Sequence, residues 1–203
     1  MKKLILLLSL LFYFTIVSAQ SVKREKWFTM DAMNVHTAKP FGSFAGLFGH
    51  ELHPGFEAGL GWNWKSKPKH DWFQEAKLSY FYHRWVQHSM ALYTEFGYRY
   101  KLPAQFSIEA RLGGGYSRVI VANQVFVIDL DKNRQYTQII SGRGQAIVTT
   151  SFSLNKSFGK ERDKRIFLQY QQRLQTPFVK SYIPLLPYNI AAAGFSISLH
   201  SKS

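Results

Sequence analysis

SMALYTEFGYRYKL, residues 89–102, separates into two faces by strict alternation. Met90, Leu92, Thr94, Phe96, Tyr98, Tyr100 and Leu102 fall on one side of an extended strand, and Ala91, Tyr93, Glu95, Gly97, Arg99 and Lys101 on the other, because successive side chains of a strand point to opposite faces. A strand in a soluble protein averages about five or six residues. This one runs to about a dozen, the length at which a tilted strand crosses a bilayer. We therefore read the rest of the chain as copies of this element closed into a barrel.

Working outward, seven further segments fit the same template. A second strand at 55–64 sets Phe56, Ala58, Leu60, Trp62 and Trp64 against Glu57, Gly59, Gly61 and Asn63. A third, at 72–85, sets Trp72, Ala76, Leu78, Tyr80 and Tyr82 against Glu75, Lys77, Ser79 and His83. The fifth starts at Phe106 and places Ile108, Ala110, Leu112 and Tyr116 opposite Glu109, Arg111, Gly113 and Gly115. Strands six, seven and eight are expected at 145–158, 165–178 and 190–199, with Gln172 interrupting the apolar face of the seventh. The first strand is expected at 41–49, in Gly-rich alternation, and residues 20–40 as an N-terminal segment ahead of a barrel spanning 41–203. Between strands five and six the sequence stays β-rich around a polar turn at Asp131-Lys132-Asn133. This predicts a hairpin that projects beyond the barrel, since a structureless loop of more than about fifteen residues is unusual.

The chain opens MKKLILLLSLLFYFTIVSAQ. Two lysines, an apolar run from Leu4 to Val17 and small residues at Ser18 and Ala19 make a secretory signal peptide over 1–19, cleaved near Ala19/Gln20. No other stretch is long and apolar enough to cross a membrane as a helix, so a membrane-resident mature chain has to cross as a closed barrel. There is no cysteine, and hence no disulfide or thiolate chemistry in an exported protein. The formal charge is +14, or +12 without the leader's Lys2 and Lys3. For an exported barrel that charge is matched by lipid phosphates, and no motif supports a nucleic-acid partner.

Alternation alone leaves open which face looks out, because a soluble lipocalin-type barrel shows the same pattern inverted. Three features place the apolar face outward. The polar faces carry Glu57, Glu75, Glu95 and Glu109 beside Lys77, Arg99, Arg111 and Arg173, a near balance of sign unlike a Lys-rich solvent coat. They are also rich in Gly, Ser, Gln and Asn, which fit a narrow eight-stranded lumen. Finally, Trp62, Trp64, Trp72, Tyr82, Trp85, Tyr100 and Tyr116 lie near strand ends, where barrels place their aromatic girdles. Charges enclosed in this way have to satisfy one another. The pattern predicts a porin-like wall around a closed lumen and no general diffusion pore. Lys101, at a strand end, is expected in solvent.

In architecture the chain resembles the small eight-stranded outer-membrane barrels of the OmpA-transmembrane and OmpX type. The resemblance implies an antiparallel up-and-down transmembrane barrel in the bacterial outer membrane, among phospholipid and lipopolysaccharide. It also implies termini and the turns 65–71, 103–105 and 159–164 facing the periplasm, and longer loops facing outward. The chain departs from it in ending LHSKS rather than on an aromatic residue. The functional reading is a monomer without cofactor, acting structurally or in adhesion through a surface partner at 121–142.

Other chemistry is also legible. His88 and Ser89, with Glu95 beyond, invite comparison with outer-membrane lipid A deacylases, although adjacent strand residues face opposite ways and Glu95 lies about 20 Å along the strand from Ser89. His50, His53, His83 and His88 come from neighbouring hairpin tips, where imidazoles bind divalent metals, but without the spacing of a zinc protease. A soluble periplasmic ligand-binding barrel is a third reading. Asp129 to Asn133 resembles a calcium loop, with Arg134 where that loop needs Gly.

Overall fold

The computed structural model of the chain describes residues 25–38, 52–84, 87–121, 125–129, 134–138, 142–159, 163–177 and 185–199. Ten strands follow in order: β1 (Lys26–Thr37), β2 (Pro54–Ser66), β3 (His70–His83), β4 (Gln87–Lys101), β5 (Phe106–Val121), β6 (Val125–Asp129), β7 (Arg134–Gln138), β8 (Arg143–Phe158), β9 (Lys164–Thr176) and β10 (Leu186–Ser198). Eight of them close into one barrel in the order β1-β10-β9-β8-β5-β4-β3-β2, every pair antiparallel. The remaining two, β6 and β7, pair with each other as a separate two-stranded sheet between β5 and β8.

The barrel strands run from 12 to 16 residues. At about 3.3 Å per residue and a tilt near 40°, a 13-residue strand rises roughly 33 Å, more than the ~25 Å apolar band of a membrane barrel. The surplus lies in the two rims. One rim carries the short turns between β2 and β3, β4 and β5, and β8 and β9, together with both ends of the described chain; we call it the short-turn rim. In the turn Pro103–Gln105, Ala104 and Gln105 both adopt left-handed backbone, at φ 57° and 66°. Neither is glycine.

Large apolar side chains face out: Leu92 is 65% exposed, Leu112 62% and Leu168 65%. Charged and polar ones face in, as the alternating burial of β4 shows from end to end. This is the inverse of a soluble ligand-binding barrel. Polar residues on the outer face bond to one another. The Trp64 indole donates to Gln74 Oε1 at 3.1 Å, and Gln74 Nε2 to Thr94 Oγ1 at 2.9 Å, so the Gln74 amide does not meet the apolar surroundings bare.

The first strand departs from expectation. The barrel is closed by Lys26–Thr37, inside the stretch read as a separate N-terminal segment, while the strand expected at 41–49 lies outside the described residues. The physical reason is that β1 turns an apolar set inward. Trp27, Met33 and Val35 are buried in the lumen beside Thr29 and Asp31, while Phe28, Met30 and Ala32 face out. With apolar residues on both faces, alternation carries no signal. β10 begins four residues earlier than expected, at Leu186, because Tyr188 and Ile190 face the lumen as Met33 and Val35 do. Residues 1–19, read above as a signal peptide, lie outside the described residues.

Candidate functional site: the charged lumen

Small residues on one strand admit large ones from the next. A Cβ on Gly61 would lie 2.2 Å from the indole of Trp27, and one on Gly97 would lie 2.4 Å from the ring of Phe73. Only glycine lets these two rings cross the lumen against the wall.

At mid-height the interior is an ion-pair lattice. Lys77 Nζ stands 2.9 Å from Glu57, 3.0 Å from Glu95 and 3.5 Å from Glu75. Arg111 donates from Nη1 to Glu75 Oε2 at 2.8 Å and from Nη2 to Gln169 Oε1 at 2.7 Å. Arg99 Nε donates to Glu109 at 2.5 Å, and Arg173 Nη2 lies 3.7 Å from Glu57. All eight residues of the set read from sequence (Glu57, Glu75, Lys77, Glu95, Arg99, Glu109, Arg111, Arg173) are therefore buried inside the barrel and in ionic contact with another member. Hydroxyls and amides complete the coordination: Thr149 and Ser151 donate to Glu95 Oε1 at 2.9 and 2.6 Å, Trp27 Nε1 to Glu75 at 2.8 Å, and the Tyr93 hydroxyl to Glu57.

Two bridges run straight across. β3 and β9 are diametrically opposed in the strand order, and Arg173 Nη1 reaches Ser79 Oγ at 3.2 Å. β4 and β10 are likewise opposed, and Gln87 Nε2 donates to Tyr188 Oη at 3.0 Å while also meeting Gln175 Oε1 at 2.7 Å. The lumen is spanned by direct hydrogen bonds at two heights.

Several members of this lattice were not singled out in the sequence. Asp71 ends a stretch that reads as a turn, and Arg165 is the first residue of the expected seventh strand, directly after the charged turn 159–164. Extending the period of the third strand back by two residues, from Phe73 to Asp71, puts Asp71 on the lumen face. Trp27 belongs to β1, whose apolar residues face both ways and hide its alternation. Tyr93 sits on the polar face of 89–102 and reads as an aromatic exception, although its hydroxyl is what the lattice uses.

The remaining candidates are dispersed. Ser89 is enclosed, its Oγ 2.7 Å from Ser117 Oγ. His88 lies on the outer face, its Nδ1 2.8 Å from the Tyr80 hydroxyl and its ring against Tyr82. The wall of the barrel separates them, so they form no catalytic pair. His53 and His83 stack at 3.7 Å between ring centroids in the mouth opposite the short-turn rim; His88 is outside and His50 is outside the described residues. Among the described residues no group of three or more His, Cys, Asp or Glu is arranged to hold a metal ion. Of the expected girdle, Trp64, Trp72, Tyr82, Tyr100 and Tyr116 are exposed on the outer face and Trp62 is half-buried there. Trp85, Asp131 and residues 178–184 lie outside the described residues. Lys101 is 38% exposed and pairs with Asp71 at 2.8 Å.

No family of related sequences and no curated protein matches the chain. Solved structures do. Neisserial surface protein A superposes with a TM-score of 0.53 at 9% identity, over 85% of this chain and 96% of that one. This chain has the fold of the small eight-stranded outer-membrane barrels. The outer membrane enzyme PagL aligns over 84% of this chain and 98% of its own at 9% identity and a TM-score of 0.48, and the attachment invasion locus protein Ail of Yersinia pestis over 86% and 97% at 11% and 0.40. At these identities it is the architecture that is shared.

Proposed function

We propose that this is an integral outer-membrane barrel with a sealed lumen, whose work is done by what it presents at the membrane surface. The observation that carries the reading is the pair of transverse bridges, Arg173–Ser79 and Gln87–Tyr188, embedded in a lattice of buried ion pairs. A water-filled pore needs an open cross-section, and here side chains from opposite walls meet. Outside, the apolar belt matches acyl chains, with aromatic residues toward both rims.

With the lumen sealed and His88 and Ser89 on opposite faces, the β6–β7 hairpin is the element free to meet a partner, in a structural or adhesive role. The longer connections, including that hairpin, face the cell exterior in this reading, and the short-turn rim faces the periplasm after removal of a signal peptide near Ala19/Gln20. The test is deletion of residues 122–142. The barrel is expected to remain folded, seen as different gel mobility before and after boiling, while binding of intact cells to host or abiotic surfaces falls. Unchanged surface binding by the folded deletion variant overturns the hairpin's role. An altered lipid A acyl pattern on expression of the intact protein would overturn the non-enzymatic reading.

A further inference from the structure

The short-turn rim holds a cavity that the lattice does not fill. It measures about 520 Å3 and is lined by Asp71, Arg99, Lys101, Ser107, Ser157 and Arg165, with the turn 103–105 as one wall and Glu25 at its edge. Its size is in the ordinary range for a small-molecule site, about 300–1,000 Å3.

The two carboxylates on its lining are already engaged. Asp71 takes Lys101 at 2.8 Å, Ser66 Oγ at 2.6 Å and Arg99 at 3.6 Å, and Glu25 takes the Asn63 amide at 3.1 Å. Behind the lining, Glu109 is shared among Arg99 at 2.5 Å, Arg111 at 3.7 Å and Arg165 at 3.8 Å. Arg165 therefore comes last in the competition for that carboxylate. Among the described residues its one hydrogen bond runs from Nη2 to Ser196 Oγ at 3.3 Å, although a guanidinium has five N–H donors.

The side chain is nonetheless only 11% exposed. Its guanidinium carbon lies 4.9 Å from the centroid of the Trp27 ring, and that of Arg99 lies 5.1 Å from the same ring. Two buried cations thus share one indole and one carboxylate. Lys101, for its part, spends two of its three donors, on Asp71 and on the Lys67 carbonyl at 3.1 Å. Around the mouth, among the described residues, the exposed Lys26, Lys65, Lys67, Lys69, Lys156 and Lys164 outnumber two rim carboxylates, Glu25 and Asp163. A site with surplus fixed donors, a focusing ring of positive charge and room for more than a water molecule is built for an oxyanion.

We propose that this cavity is a binding site for a phosphorylated small molecule or headgroup, held through its phosphate by Arg165 and Lys101. Arg165 offers the planar fork that matches two phosphate oxygens, and Lys101 a point charge across the cavity. The Ser107 and Ser157 hydroxyls line the wall beside them. The phosphate belongs either to a soluble phosphate compound or to an anionic lipid of the adjacent leaflet, and the same donors serve both.

The test is titration of the refolded full-length mature protein, in neutral detergent at low salt, with inorganic pyrophosphate, followed by calorimetry. Binding is expected with a sub-millimolar Kd, weakening as ionic strength rises. Loss of one charge-assisted contact in Arg165→Gln or Lys101→Gln should weaken it about tenfold, while Arg118→Gln, exposed toward the opposite mouth, should leave it within about twofold. Should Arg165→Gln fail to fold, Lys101→Gln decides, since that side chain is partly exposed. Repeating the titration in nanodiscs separates the two sources. Phosphatidylglycerol that displaces pyrophosphate, where phosphatidylcholine does not, assigns the site to a lipid headgroup; undiminished pyrophosphate binding assigns it to a soluble phosphate. Absence of binding up to about 10 mM pyrophosphate, or equal weakening by Arg118→Gln and by the cavity variants, overturns the site.

Discussion

Lys77 stands among three carboxylates inside the barrel, all within 3.5 Å of its ammonium. Lys101 pairs with one carboxylate and is 38% exposed. Coulomb attraction in water is weak and side-chain entropy opposes an exposed pair, so Lys101→Met should cost about 0–1 kcal/mol. Lys77→Met leaves buried charge without its partner and should cost about 3–5 kcal/mol. Urea unfolding in lipid vesicles, followed by tryptophan fluorescence, measures both; near-equal costs would mean that water reaches the lattice. At this scale the sequence was informative wherever a charged residue recurred at period two among small polar ones, as for Glu75 and Lys77. It was silent where a lumen position is aromatic. Trp27 and Tyr93 contribute donors to Glu75 and Glu57, yet in composition they look like residues for the lipid face. The signal that identifies Trp27 is the glycine it lies against, Gly61, and that pairing becomes visible only once the register Trp27↔Gly61 is known.

The element most fully legible was β4, because its two faces differ in polarity at nearly every step. Leu92, on its outer face, pairs with Leu78 and Tyr116 of the neighbouring strands near mid-height. Leu92→Arg should therefore destabilise the barrel by about 2–4 kcal/mol in a bilayer, as expected for a cation at the hydrocarbon midplane, and a spin label at position 92 should be accessible to oxygen rather than to aqueous relaxants. β1 was illegible for the opposite reason: Met33 and Val35 inside and Met30 and Ala32 outside give no contrast. The turn between β4 and β5 offers a second element-scale measurement. Ala104 and Gln105 hold positive φ without being glycine, a conformation that costs an L-residue roughly 1–2 kcal/mol. Gln105→Gly should raise stability by about 1 kcal/mol, less than the full penalty because glycine also loosens the unfolded chain. A fall in stability would mean that the Gln105 side chain contributes more to the adjoining cavity wall than its backbone costs.

For the whole molecule, the side chains that meet across the bore decide whether the lumen is a vessel or a channel. With eight strands the bore is just wide enough for side chains to fill, and here they do so in two storeys: Arg173–Ser79 within the ion-pair lattice, and Gln87 with Tyr188 and Gln175 nearer the mouth opposite the short-turn rim. Each storey alone is enough to block a hydrated ion. The intact protein should give no stable conductance steps in a planar bilayer, and neither should Arg173→Ser or the double variant Gln87→Ala, Gln175→Ala, because each leaves the other storey in place. Combining the two removes every direct bond described across the two diameters and should produce small, discrete steps from protein that still shows heat-dependent gel mobility. Conductance in the intact protein, or in either storey variant by itself, would mean that the bridges open on the timescale of ion passage and that the lattice gates the lumen rather than sealing it.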